Sequence, residues 1–98
     1  MGPPSGPPRP RFISGFVRDA EGKGIVRANI SLYDGDRPGS ARIARVSTNA
    51  AGYYLVQDVA PNHVIVQAEK RGFAREIKYV HVPTYGIPVD LKMRETGR

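Results

Sequence analysis

His63 and His81, the aspartates of Asp34-Gly35-Asp36, and the cations between Lys70 and Lys78 are the residues of this 98-residue chain with chemistry to offer. A hydrolytic zinc site of the two-histidine, one-glutamate type needs a carboxylate placed beside both histidines. Here neither histidine has a companion carboxylate at ligand-like spacing, and the two fall on different predicted strands. Each therefore reads as a surface or rim histidine. Adjacent carboxylates such as Asp34 and Asp36 suit a hard cation, but an EF-hand register puts Pro38 at its fifth position. Arg45 then takes the twelfth, where that loop needs a glutamate, so the aspartates read as turn formers. The chain has no cysteine, hence no disulfide, thiolate metal site or cysteine nucleophile. It shows no nucleophile elbow and no phosphate-cradling glycine loop. No catalytic, metal or cofactor-binding residue is expected, and the chain does not read as an enzyme.

Binding is the better prospect. Lys70, Arg71, Arg75 and Lys78 crowd one connection, and arginine's planar fork grips phosphate, sulfate or carboxylate bidentately. The net charge of +6, carried by arginine more than lysine, reads first as solubility because the charges are scattered; as a partner signal it favours anions such as acidic polysaccharide. Nucleic acid is disfavoured, because only Phe73, Tyr79 and Tyr85 lie near these cations. Phe12, Phe16 and Ile65 fall on outward sides of their strands and form a candidate protein-interaction face if strand order makes them contiguous. Asn29-Ile30-Ser31 is a glycosylation sequon, meaningful only in a eukaryotic secreted protein.

The elements that must position these residues are short strands of period two. Ile13, Gly15 and Val17 share one side of a first strand, and Ala28, Ile30 and Leu32 one side of a second. Tyr54 and Val56, then Val64, Val66 and Ala68, continue the inward set. Ile87, Val89, Leu91 and Met93 give the clearest alternation. Between Arg75 and Val82 the pattern slips phase, which a β-bulge would reconcile. Glycine, asparagine, aspartate and proline punctuate the runs, and no segment has the spacing of an amphipathic helix. The expectation is an all-β sandwich of seven antiparallel strands with no helix.

Residues 1–11 read as a linker, or a tail introduced by cloning. Met1 to Pro10 holds five prolines and two glycines, and such tracts are semi-rigid spacers. The alternative is a ligand for SH3-type domains through Pro7-Pro8-Arg9-Pro10. The folded domain is placed at 12–94 and a short polar tail at 95–98. No signal-peptide core and no apolar run long enough to span a bilayer is present.

Ile13-Ser14-Gly15-Phe16-Val17-Arg18-Asp19, Gly22 and Ala28-Asn29-Ile30-Ser31-Leu32 resemble the opening of carboxypeptidase regulatory-like domains. Thr48, Gly52 and Tyr54 match that family's Thr-x-x-x-Gly-x-Tyr element. Pro61-Asn62-His63-Val64-Ile65-Val66 and Gly72-Phe73 match its later Pro-Gly-x-Tyr-x-Leu and Gly-Tyr elements, with asparagine for glycine and phenylalanine for tyrosine. The resemblance implies a transthyretin-like sandwich and a non-catalytic accessory role that supports or positions a neighbouring domain or partner protein. It also implies an extracytoplasmic setting: secreted, periplasmic or cell surface. Two alternatives stay open. One is a polyanion-binding module using Lys70, Arg71, Arg75 and Lys78. The other is the C-terminal domain of a metallocarboxypeptidase whose catalytic domain is not in this chain.

Overall fold

A computed structural model describes residues 11–37, 39 and 41–96. The proline-rich stretch 1–10, with its linker and SH3-ligand readings, lies outside the described residues. Among the described residues eight strands follow in chain order: β1 (Ile13–Arg18), β2 (Asn29–Asp34), β3 (Arg42–Ser47), β4 (Tyr53–Val56), β5 (His63–Glu69), β6 (Glu76–His81), β7 (Ile87–Pro88) and β8 (Leu91–Lys92). No helix occurs among the described residues. One sheet runs β4-β1-β7, with β8 also on β1; the other runs β3-β2-β5-β6.

Between the sheets lie the residues whose alternation pointed inward. Ile13, Val17, Ile30, Leu32, Val64, Val66 and Met93 are fully buried. Burying each aliphatic side chain of this kind contributes about 1.5–3 kcal/mol. This apolar layer holds two small sheets together without a disulfide.

Eight strands stand where seven were expected because the last run is interrupted. Ile13 and Ser14 pair with Ile87 and Pro88, and Val17 and Arg18 with Leu91 and Lys92. Both pairings are parallel, so this sheet is mixed rather than purely antiparallel. Between them, Val89 and Asp90 bow over Gly15, where a Cβ would overlap the Val89 carbonyl. The Val89 amide donates to Ser14 O at 2.6 Å, and the Phe16 amide donates to Asp90 Oδ1 at 2.9 Å. A carboxylate thus replaces a missing ladder carbonyl at the break.

The bulge expected between Arg75 and Val82 is absent. β6 pairs with β5 in unbroken register from Ala68↔Glu76 to His63↔His81. The phase conflict arose because both faces of β6 carry apolar residues: Val80 inward, Ile77 and Tyr79 outward. The register shift of this sheet falls instead between β2 and β3, at Leu32/Tyr33.

The Thr48, Gly52, Tyr54 element is mechanical. Thr48 is buried, its hydroxyl donating to Ile25 O at 2.6 Å and accepting from the Ala28 amide at 2.8 Å. It pins the loop that enters β2. Gly52 has φ +85°, and a Cβ there would stand 2.6 Å from Val17 O. Tyr54 crosses the core to donate its hydroxyl to Val89 O at 2.6 Å.

Contacts of the fold extend past 12–94 at both ends. The Arg11 guanidinium donates to Val59 O at 2.8 Å, Ala60 O at 3.1 Å and Pro61 O at 2.7 Å. It also donates to Asn62 Oδ1 at 3.2 Å. At the other end Glu95 bridges Phe73, and the Thr96 amide donates to Gly72 O at 3.0 Å.

Candidate interaction surfaces

The four-stranded sheet presents its outward residues in rows set by register. Arg42, Tyr33, Ile65 and Tyr79 lie side by side across β3, β2, β5 and β6. The next row is Arg45, Ser31, Gln67 and Ile77. Tyr33 and Ile65, on the central strands, are half-buried by their neighbours. On the edge strand β6, covered from one side only, Tyr79 is 77% exposed and Ile77 45%. Contiguous apolar and aromatic side chains flanked by arginine have the make-up of a protein interface core.

The opposite outer face is smaller and already packed on itself. The Phe16 ring lies 5.3 Å from that of Tyr53, tilted by 59°. The Arg18 guanidinium sits 4.5 Å from the Phe16 centroid, within cation–π range, and 3.7 Å from Asp90 Oδ2. Phe12 precedes β1, half-buried beside Gly86, with its carbonyl accepting from the Ile87 amide at 2.9 Å. Phe16 and Ile65 therefore occupy opposite outer faces of the sandwich, and Phe12, Phe16 and Ile65 do not come together as one patch. Ile65 instead joins Tyr33, Ile77 and Tyr79. Strand order decides this, and no local pattern encodes it.

The cations divide as well. Lys70, Arg71 and Arg75 line a shallow hollow with Asn29, Glu69 and Phe73. Within it Arg75 Nε lies 3.7 Å from Glu69 Oε2, an exposed pairing of small energetic weight. Phe73 is half-buried against the core rather than offered to a ligand. Lys78 is not part of this group. It stands opposite Val66 on the inward side of β6, and its ammonium crosses the open flank to Asp90 O at 3.0 Å. Asn29 sits at the start of β2, half-buried, between Ser47 and Glu69.

His63 and His81 stand directly opposite each other on β5 and β6, with ring centroids 5.0 Å apart. His63 also has a carboxylate: its Nδ1 is 2.9 Å from Asp36 Oδ1. Local spacing hid both relations. In an antiparallel hairpin, partners lie equidistant from the turn, and His63 and His81 are each nine residues from Gly72. Centring the hairpin there was the available signal. Asp36 reaches His63 because the Gly35 amide donates to His63 O at 2.8 Å, folding the turn back onto β5. No group of three or more His, Asp or Glu among the described residues is arranged to hold a metal.

Among the described residues, one titratable group departs clearly from its ordinary behaviour. The Tyr54 phenol is pushed well above the usual tyrosine range, first by burial and second by the negative charge of Asp90. Its role is the hydrogen bond that ties β4 to the Val89 crossing.

A family model of the carboxypeptidase regulatory-like domain matches residues 12–93. No curated protein matches the chain significantly by sequence. Among solved structures, catechol 1,2-dioxygenase from Pseudomonas arvilla C-1 superposes with TM-score 0.70 at 13% identity, over 89% of this chain and 52% of that one. The dioxygenase domain of a dioxygenase carbohydrate-binding protein fusion from Streptomyces sp. SirexAA-E gives 0.67 at 15% identity, covering 94% and 84%. The Bacillus anthracis TIE protein gives 0.66 at 10% identity, covering 86% and 17%. The chain thus spans about half of the first of these and under a fifth of the last. Likeness at such identities concerns the fold alone.

Proposed function

Because the chain belongs to the carboxypeptidase regulatory-like domain family, we propose that it is a non-catalytic accessory domain that docks a neighbouring domain of its own polypeptide or a partner protein. The observation that carries this reading is the outward face holding Tyr33, Ile65, Ile77 and Tyr79, rimmed by Arg42 and Arg45. Aromatic and arginine side chains are enriched among residues that dominate binding energy. Three ordered polar groups elsewhere serve the fold: Thr48 pins a loop, Tyr54 holds a crossing, and Arg11 caps carbonyls. An extracytoplasmic setting is part of the proposal and rests on the family.

Amide hydrogen exchange of the domain alone and within its full-length polypeptide tests the reading. Added protection on β5 and β6, lost on Tyr79→Ser, is the expected result. Protection confined to the Phe16–Tyr53 face, or none, would sink it. A second reading is favoured by the hollow at Lys70, Arg71 and Arg75, which suits a sulfated or carboxylated polysaccharide. Localised, saturable NMR shifts there that persist at near-physiological salt would promote it; diffuse shifts lost with salt would dismiss it. A third reading makes the domain the C-terminal part of a metallocarboxypeptidase, and a zinc-ligand signature upstream in the reading frame would select it.

A further inference from the structure

We propose that His63 and His81 form an open binding site for a divalent first-row transition metal, with Asp36 orienting His63. The two imidazoles face each other across adjacent strands, so the hairpin register holds both near one point in space. Their spacing suits shared coordination. A metal about 2.0–2.1 Å from one nitrogen of each ring lies about 3.2 Å from each ring centre; two ligands at about 90–110° then have centroids about 4.5–5.2 Å apart. The observed separation is 5.0 Å.

Asp36 strengthens the case. An ionised carboxylate can only accept, so the 2.9 Å contact places the proton of neutral His63 on Nδ1. That leaves Nε2 with its lone pair free for a metal. A histidine held by a carboxylate through its other nitrogen is the arrangement that orients metal-ligating imidazoles and raises their basicity. Asp36 is itself held in place: its amide donates to Asp34 Oδ1 at 2.8 Å, and the turn is tied to β5 through Gly35 and His63. The sequence kept Asp36 and His63 apart as a turn former and a rim residue; the fold makes them a pair.

Two nitrogen ligands leave the remaining positions to water or to a group from outside. The side chains of His63 and Asp36 are 55% and 48% exposed, so such a group has access. Imidazole suits copper, nickel and zinc, and the intrinsic order of affinity favours Cu²⁺ over the others. The pair lies one row beyond Ile65 and Tyr79. A metal bound there would sit at the rim of the proposed interface, although its binding does not depend on that interface.

The test is titration of the intact chain with Cu²⁺ and, separately, Zn²⁺, followed by calorimetry and by ¹⁵N–¹H NMR. Cu²⁺ is expected to broaden the amides around His63, His81 and Asp36 first, at one equivalent, and Zn²⁺ to shift the same set. His63→Gln and His81→Gln should each weaken binding by about tenfold or more, and Asp36→Asn by about tenfold, as loss of an orienting partner does elsewhere. All three sites are exposed, so an unchanged thermal midpoint will show that the variants remain folded. Binding untouched by either histidine substitution, broadening centred on the chain terminus, or no binding at millimolar metal would each overturn the site. An unaltered Asp36→Asn affinity would overturn the orienting role.

Discussion

Tyr54 shows how one side chain couples two strands to solution pH. Its hydroxyl is buried and donates to Val89 O, so Tyr54→Phe leaves a buried carbonyl unpaired and should cost about 1–3 kcal/mol in urea unfolding. The pH dependence follows from the raised pKa of this phenol. An unfolded chain ionises tyrosine near pH 10. The folded state resists that ionisation, so the contribution is complete below this pH and is lost as the solution becomes more alkaline. Urea midpoints measured between about pH 8 and 11 should therefore decline more shallowly in Tyr54→Phe than in the parent. Arg11 is a second residue whose worth lies in geometry. Its fork reaches three consecutive carbonyls, Val59 to Pro61, which a lysine's point charge cannot reproduce. Arg11→Lys should lower stability by about 1.5–3 kcal/mol, read from the same unfolding curves.

At the scale of elements, the break between β7 and β8 is the informative case. The alternation of Ile87, Val89, Leu91 and Met93 correctly placed all but Ile87 in the buried set, with Ile87 packed partly against it. It could not show that Asp90 interrupts the ladder, because the interruption serves β1, more than seventy residues earlier. Gly15 is the matching half: it lets the crossing lie flat on β1. Gly15→Ala should destabilise by about 1–3 kcal/mol through overlap with Val89. Asp90→Ala should also destabilise, by leaving the Phe16 amide without its acceptor, whereas Asp90→Asn retains a carbonyl oxygen and should lose less. Thermal unfolding of the three variants gives the ranking.

At the scale of the whole molecule, two outer faces differ in what they leave uncovered. Phe16 spends its aromatic surface on Tyr53 and Arg18, whereas Tyr79 and Ile77 remain exposed on the edge of the larger sheet. Tyr79→Ser removes no core contact and should change stability by less than about 0.5 kcal/mol. Any loss of partner protection in that variant then reports the surface and not the fold. The split of Lys78 from Lys70, Arg71 and Arg75 makes a parallel point: nearness along the chain put four cations together, and a strand's two-sided geometry separated one of them.

Period-two burial, turn residues and the absence of helical spacing determined by themselves that this chain is an all-β sandwich and which strand residues line its core, though not the buried loop residues Ile25, Val59 and Val82. These are local properties, carried by side chains one or two positions apart. Tertiary structure alone decided that Ile65 lies beside Tyr33 and away from Phe16, and that Asp36 reaches His63. Those neighbours are set by strand order and cross-strand register, which bring together residues distant in the chain, and an alternating pattern reads the same whichever strand lies beside it.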